Sequence, residues 1–203
     1  MCKIYTYAPT EYFGSNTFLI DCDGEYAIVD PSIEYLELTE LCGIAQPEIK
    51  YVLLTHSHFD HFLFIDSYVE MGAEVVIGGQ DAQGLSDSYL NCYSLFRGID
   101  KGYSGNYIAA DENTVLPLGR KEINVINTPG HTRGSVSYLL GDSLFVGDTV
   151  FDGGGYGRCD LPGGNFEALQ SSISRIMCLP DNIRLYCGHG AATTVKDAKK
   201  YFR

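Results

Sequence analysis

Tyr51-Val52-Leu53-Leu54-Thr55-His56-Ser57-His58-Phe59-Asp60-His61 is the stretch on which the reading of this chain turns. Four apolar residues run straight into a cluster holding three of the chain's five histidines and a carboxylate. A short apolar run bounded by polar residues predicts a buried strand. The cluster then lies at that strand's carboxyl end, where open α/β sheets place their chemistry. His56 and His58 are two residues apart, so in extended chain both point the same way, and Asp60 continues that side. His61 falls at the turn into a helix, predicted just after it because Phe62, Ile65 and Val69 recur at helical spacing. A zinc-like ion takes about four ligands, and a catalytic one keeps a place open. One ion therefore does not suit all four donors, whereas two neighbouring ions could share them. That predicts further ligands on loops after other strands.

Working outward towards the N-terminus, Ile4–Tyr7, Thr17–Asp21 and Tyr26–Val29 read as short strands separated by turn residues. A helix follows on which Ile33, Leu36 and Leu41 share one side, with Gly43 at its end. Beyond the cluster, Gly72 ends the second helix and Glu74–Ile77 is another strand. Strand and helix alternate here, which predicts parallel pairing with crossover helices. Residues 79–113 have poor periodicity. A helix over Leu85–Phe96 is expected there, and the aromatic residues Tyr89, Tyr93, Phe96, Tyr103 and Tyr107 either line a cleft or cover core. A long irregular segment in a compact domain is often a functional loop.

The second half restarts with strands at Thr114–Leu116, Glu122–Ile126, Val136–Leu140 and Leu144–Val146, the last two joined by a Gly141-Asp142 hairpin signal. Asn165 is placed to cap a helix carrying Phe166, Leu169, Ile173 and Ile176, and Pro180 stops it. Ile183–Tyr186 is a final strand and Val195–Phe202 a final helix. Three of these strands run into loops with candidate ligands: Pro129-Gly130-His131-Thr132, Gly147-Asp148-Thr149 and Gly188-His189-Gly190. Every histidine in the chain thus sits just past the end of a predicted strand, and each of the three later loops carries Gly beside its candidate ligand. Two batches of strands with helices fit a sandwich of two sheets with helices outside. No linker, low-complexity stretch or charge run divides residues 1–203, so one domain is expected.

Composition narrows the function. Apolar residues make up 45% and charged residues 20%, ordinary for a globular protein. A formal net charge of −12 argues against a duplex nucleic-acid surface, where affinity comes mainly from Lys and Arg on phosphates. No segment has the length of a membrane span, and the first residues lack a signal-peptide apolar core. The seven cysteines are scattered and include no Cys-x-x-Cys pair. They are expected to be reduced thiols in a cytoplasmic protein.

Taken together, Thr55-His56-x-His58-x-Asp60-His61, Pro129-Gly130-His131-Thr132, Gly147-Asp148-Thr149 and Gly188-His189 resemble the metallo-β-lactamase superfamily over nearly the whole chain. Gly157-Arg158-Cys159-Asp160-Leu161-Pro162-Gly163-Gly164 is similar to its glyoxalase II-like (hydroxyacylglutathione hydrolase) members. The resemblance implies a four-layer αβ/βα sandwich of the α/β (α+β) class. It implies two divalent metal ions, zinc or else iron or a mixed pair. His56, His58 and His131 would hold the first, Asp60, His61 and His189 the second, and Asp148 would bridge them. Asp60 and Asp148 are then the candidate catalytic carboxylates. Arg158 would bind substrate, or else pair with Asp160 or Asp152 to hold its own loop. Cys159 stands where the pattern has Thr and reads as a small filler.

The implied reaction is hydrolysis of a small acyl thioester such as S-lactoylglutathione by a hydroxide bridging the two ions. A departing thiolate needs little protonation, and no histidine is left over to act as an acid. Lactone or phosphoester hydrolysis is the alternative. A mononuclear-iron persulfide dioxygenase using His56, His131 and Asp148 is another. Relative to the glyoxalase II pattern, the chain is expected to lack the further helical domain that follows the last metal histidine. Ala191 replaces an aromatic residue, Phe62-Leu63-Phe64 replaces Gly-Gly, and Ser32 replaces a Gly after Asp30-Pro31. The bulky Phe62–Phe64 run is expected either to reshape the cleft or to alter helix packing.

Overall fold

Several strands of this chain are apolar on both sides, so both faces must be covered. The structure, a computed structural model, describes residues 2–9 and 13–202. One sheet has six strands in chain order: β1 (Lys3–Tyr7), β2 (Thr17–Cys22), β3 (Glu25–Val29), β4 (Ile49–Leu54), β5 (Glu74–Gly78) and β6 (Ile108–Ala110). The first three pair antiparallel, and β3 to β6 run parallel. Parallel neighbours need crossovers. They come from α1 (Tyr35–Cys42), α2 (Ile65–Val69) and the segment with α3 (Ala82–Ser86) and α4 (Tyr93–Arg97). The second sheet holds β7 (Val115–Leu118), β8 (Lys121–Asn127), β9 (Val136–Leu140), β10 (Ser143–Gly147), β11 (Arg184–Cys187) and β12 (Thr193–Thr194), ordered β12-β11-β10-β9-β8-β7. β10 and β11 are its parallel pair, joined through α5 (Phe166–Met177), and α6 (Val195–Ala198) follows β12.

Alternation along the strands builds three cores. In β4, Val52 and Leu54 face Leu38, Ile65 and Tyr68 of the helix layer. Tyr51 and Leu53 face the other way and join Phe18, Tyr138 and Phe145 between the sheets. In β10, Phe145 belongs to that middle core, while Leu144 and Val146 meet Leu169, Ile173 and Ile176 of α5. Helix, sheet, sheet and helix therefore stack as an αβ/βα sandwich. Each fully buried Leu, Ile or Phe in these cores contributes about 1.5–3 kcal/mol relative to an exposed one. The Tyr138 hydroxyl crosses the middle core to donate to the Leu54 carbonyl at 2.8 Å.

Several expectations need correction. On α1, Leu36 and Leu41 are 65% and 55% exposed, and Tyr35 and Leu38 are the buried residues. Ile33 is buried but precedes the helix, so counting helical spacing from it selects the wrong face. The helix expected right after His61 begins at Ile65, because a 3-10 turn over Phe59–His61 comes first and Phe62 leaves it at φ −138°. Leu85–Phe96 divides into α3 and α4, with Cys92 at φ 67° between them. The last helix stops at Ala198. β6 and β12 had no expectation. Phe62 is buried in the helix-side core, and Leu63 and Phe64 pack against it. The bulky run thus changes helix packing and does not line the cleft.

The expectation that all cysteines are reduced is also overturned: Cys2 and Cys22 form a disulfide, while Cys42, Cys92, Cys159, Cys178 and Cys187 are free. The cause is register. Lys3 pairs with Asp21, so the next cross-strand pair is Cys2 with Cys22, Cα atoms 4.3 Å apart.

Candidate metal centre

The donors meet at one edge of the sandwich, each just beyond a strand. His56 to His61 follow β4, His131 follows β8, Asp148 follows β10 and His189 follows β11. Val136 N donates to the Thr55 carbonyl at 2.8 Å, tying the two sheets together at this edge. Glycine beside the ligands is a steric requirement here. A Cβ on Gly188 would lie 2.3 Å from Asp148 Oδ1 and 2.7 Å from His61 Cε1. Gly147 holds φ 50°, and a Cβ on it would lie 2.4 Å from Thr55 Oγ1. The N-terminus of α5 braces the His131 loop. Asn165 caps the helix by accepting from Ala168 N at 2.9 Å, and its own amide donates to the Gly130 carbonyl at 2.8 Å.

All seven expected ligands fall into three overlapping sets with donor atoms within 4.8 Å of one another. These are His56, His58 and His131; His56, His61 and Asp148; and Asp60, His61 and His189. In the first, His56 Nε2 lies 3.1 Å from His58 Nδ1 and 3.2 Å from His131 Nε2. Three imidazole lone pairs so close repel unless a cation sits among them. A tetrahedron with arms of about 2.0–2.1 Å has edges of about 3.3–3.4 Å, so the spacing suits a zinc-sized ion. In the third set, His189 Nε2 is 3.3 Å and His61 Nε2 3.7 Å from Asp60 Oδ2. Asp148 stands between, with Oδ1 3.4 Å from His61 Nε2 and Oδ2 3.6 Å from both His131 Nε2 and His189 Nε2. His61 Nε2 and Asp148 Oδ1 are buried without a hydrogen-bond partner among the described residues. Leaving such groups unpaired costs about 1–3 kcal/mol each. A metal would satisfy them, and imidazole with carboxylate is a donor set for zinc or iron.

Outer partners fix which nitrogen faces inward. His61 Nδ1 donates to Asp30 Oδ2 at 2.8 Å, and His131 Nδ1 donates to the Arg158 carbonyl at 2.6 Å. Thr55 Oγ1 donates to Asp30 Oδ2 at 2.8 Å and receives His56 Nδ1 at 3.1 Å. The rings of His56, His61 and His131 therefore turn Nε2 toward the centre, with Nδ1 held from outside as is usual for ligating histidines. Asp30 is fully buried at φ 51°. A second buried carboxylate, Asp81, accepts from Ser57 N at 3.0 Å, Gly134 N at 2.6 Å and Thr132 Oγ1 at 2.5 Å. It thereby clamps the His56–His58 loop of one sheet to the His131 loop of the other. Sequence reasoning assigned neither aspartate a role. The available signal was their position, each just past a predicted strand, as for the ligands.

Burial drives His56 well below the usual imidazole range, reinforced by His61 and His131. Burial, then His131, takes His58 down to about 3. Both rings are held neutral, with lone pairs available. For His61 burial opposes the charge, but Asp30, Asp60 and Asp148 outweigh it and raise the group. For Asp148 burial favours the acid, yet His61, His131 and His189 hold it well below the carboxylate range. Asp148 is therefore an anion, the state in which a carboxylate can ligate a cation.

The centre opens into a cavity of about 360 Å³. Phe96 is the one aromatic residue of the 79–113 segment that lines it. Tyr103 and Tyr107 border a separate cleft against β5 and β6, and Tyr93 packs in core. Arg158 lines the metal cavity and also grips Asp160 in two bonds of 2.8 and 2.7 Å. Cys159 is half-buried against the α5 core, in keeping with a filler.

A family model described as the metallo-beta-lactamase superfamily matches residues 11–189. The chain belongs to the metallo-β-lactamase superfamily. Two Bacillus subtilis members are similar to it. The probable metallo-hydrolase YqgX is 32% identical over 185 residues, 89% of this chain and 87% of YqgX. The probable polyketide biosynthesis zinc-dependent hydrolase PksB is 34% identical over 164 residues, 80% of this chain. The chain spans 66% of PksB's length. Among solved superfamily structures, BLEG-1, a B3 metallo-beta-lactamase, superposes with a TM-score of 0.88 at 29% identity, covering 98% of this chain and 97% of that one. The chain is thus a metallo-hydrolase by family, with a His/Asp metal site.

Proposed function

We propose that this chain is a single-domain, dinuclear metal hydrolase that cleaves a small acyl thioester, with water as co-substrate. The observation that carries it is Asp148, whose two oxygens lie between the His56–His58–His131 set and the Asp60–His61–His189 set. In this reading the His56–His58–His131 set would hold one ion and the Asp60–His61–His189 set another, with Asp148 placed to serve either. Zinc is favoured by PksB's description, and iron or a mixed pair suits the same donors. Such ions, when bound, polarise a carbonyl oxygen and lower the pKa of water towards neutrality.

The chain's residues do the rest. Asp30 and the Arg158 carbonyl hold the rings of His61 and His131 in the ligating tautomer. Asp148 and Asp60 supply negative charge that keeps a cation pair in place. Phe59 and Phe151 are among the apolar side chains that line the cavity beside these groups. No further histidine exists to protonate a leaving group. This favours a leaving thiolate, which departs without one, over an amine or alkoxide.

The test is release of free thiol from S-lactoylglutathione and other acyl thioesters by metal-loaded protein, with lactone, phosphoester and β-lactam substrates in parallel. Turnover of thioesters above the other classes is expected. Turnover confined to another class transfers the assignment to that bond. A β-lactam is the second reading, favoured by the similarity to BLEG-1 over almost the whole of both chains.

A further inference from the structure

We infer that the substrate's reacting carbonyl is carried on an apolar alkyl or aryl group, which a ring of phenylalanines around the metal centre receives, and not on a charged glutathione conjugate. This rests on the thioester reading above and narrows it. The cavity floor is made by the metal-ligand side chains, and its walls by Phe13, Phe59, Phe96, Phe151, Leu161 and Cys92. Phe13 and Phe96 are 37% and 44% exposed, large apolar rings held at the mouth instead of in a core. Phe59 links them, its ring centre 6.2 Å from that of Phe13 and 6.3 Å from that of Phe96. Phe151 closes the opposite side, edge-on to the His189 ring at 6.0 Å. Apolar rings thus line the cavity both at Phe13, Phe59 and Phe96 and at Phe151 beside the candidate ligand His189.

Charge points the same way. Glutathione brings two carboxylates, which a site recognises with cations. Arg158 is the cation that lines this cavity among the described residues. Its guanidinium is bound twice by Asp160 and lies 6.0 Å from the centre of the Phe96 ring. Arg97 lies over Phe13 at 5.3 Å without lining the cavity. The chain's net charge of −12 adds a field that disfavours an anionic substrate such as a glutathione conjugate, whose two carboxylates outweigh its one ammonium. What the walls offer is area to be removed from water. At about 0.8 kcal/mol per buried methylene, each added CH₂ is worth about a fourfold gain while it stays in contact. A volume near 360 Å³ is at the small end for ligand sites, which suits a medium acyl group and not a tripeptide conjugate. The reaction balances as hydrolysis: the C–S bond breaks, water's oxygen joins the acyl carbon, one of water's protons ends on the thiol and the other is released to solvent as the carboxylate forms.

The experiment compares N-acetylcysteamine thioesters of acetyl, butyryl, hexanoyl and phenylacetyl groups with S-lactoylglutathione on metal-loaded protein. Calorimetric binding of acetate, hexanoate and phenylacetate is measured on the same sample. The expected result is a rise in kcat/KM of at least about tenfold from acetyl to hexanoyl, with tighter binding of hexanoate than of acetate. Phe96→Ala and Phe151→Ala should each cut the hexanoyl-to-acetyl ratio by about threefold or more, in both rate and binding. If no thioester turns over but the binding preference and its loss in the variants hold, the reaction assignment falls and the apolar site stands. Thioester cleavage with a flat or falling chain-length series, or with S-lactoylglutathione preferred, overturns the inference and leaves the reaction intact.

Discussion

Residues 55–61 bring four donors to the cluster on a single loop of the first sheet, whereas His131, Asp148 and His189 arrive on three separate loops of the second. The first group is set by local spacing: strand alternation aims His56 and His58, and one 3-10 turn redirects His61. The second group owes its geometry to packing, through the cap of α5, the close approach at Gly188 and the cross-sheet clamp at Asp81. Neither group completes a three-residue set without the other. Each of the two outer sets takes two donors from the loop and one from the far sheet. The metal centre is thus a device that registers how the two sheets dock.

The contrast can be broken most severely at its junction. Asp148→Asn keeps the shape but removes the shared negative charge, and should lower turnover by more than about 100-fold, beyond what loss of an outer partner costs. Thermal melting of the metal-free variant should stay within a few degrees of the parent. Next, Gly188→Ala pushes a methyl group against Asp148 and His61. A drop of about 10–100-fold in metal affinity is expected from competitive chelator titration. Parent-like affinity would show that the packed half tolerates movement. Asp81→Asn weakens a clamp and spares every ligand, so about a tenfold loss of affinity should appear at the histidine-rich set, seen with a cobalt(II) spectrum as the readout. Smallest of all, Leu36→Ala on exposed α1 should change stability by less than about 0.5 kcal/mol in urea melts, while Leu38→Ala costs about 2–5 kcal/mol.

The same division governs what could be read from residues alone. Strands such as Val136–Leu140 were legible in full, because an apolar run between turn residues admits few other readings. The α5 cap at Asn165 was legible too, since its bond to Ala168 is local. β12, with two residues, and β6, with Ile108-Ala109-Ala110, carry too little pattern to register. The exposed face of α1 was misjudged because Ile33 is buried by the turn before the helix, not by the helix itself. All seven donors lie just past a predicted strand, yet Asp30 and Asp81 escaped notice. Their partners lie 24 to 53 residues away, where spacing says nothing. The Cys2–Cys22 bond likewise depends on strand register, which scattered cysteines do not reveal.

Metal content per chain tests the central claim most directly. Metal-free protein is reloaded with zinc or iron(II), freed of excess by gel filtration, and its metal and protein are quantified together. A pair of ions sharing Asp148 predicts two per chain in the parent and one in His189→Ala, whose lost ligand comes from the far sheet and belongs to the Asp60–His61–His189 set alone. One ion per parent chain, or two retained in His189→Ala with parent affinity, would contradict it.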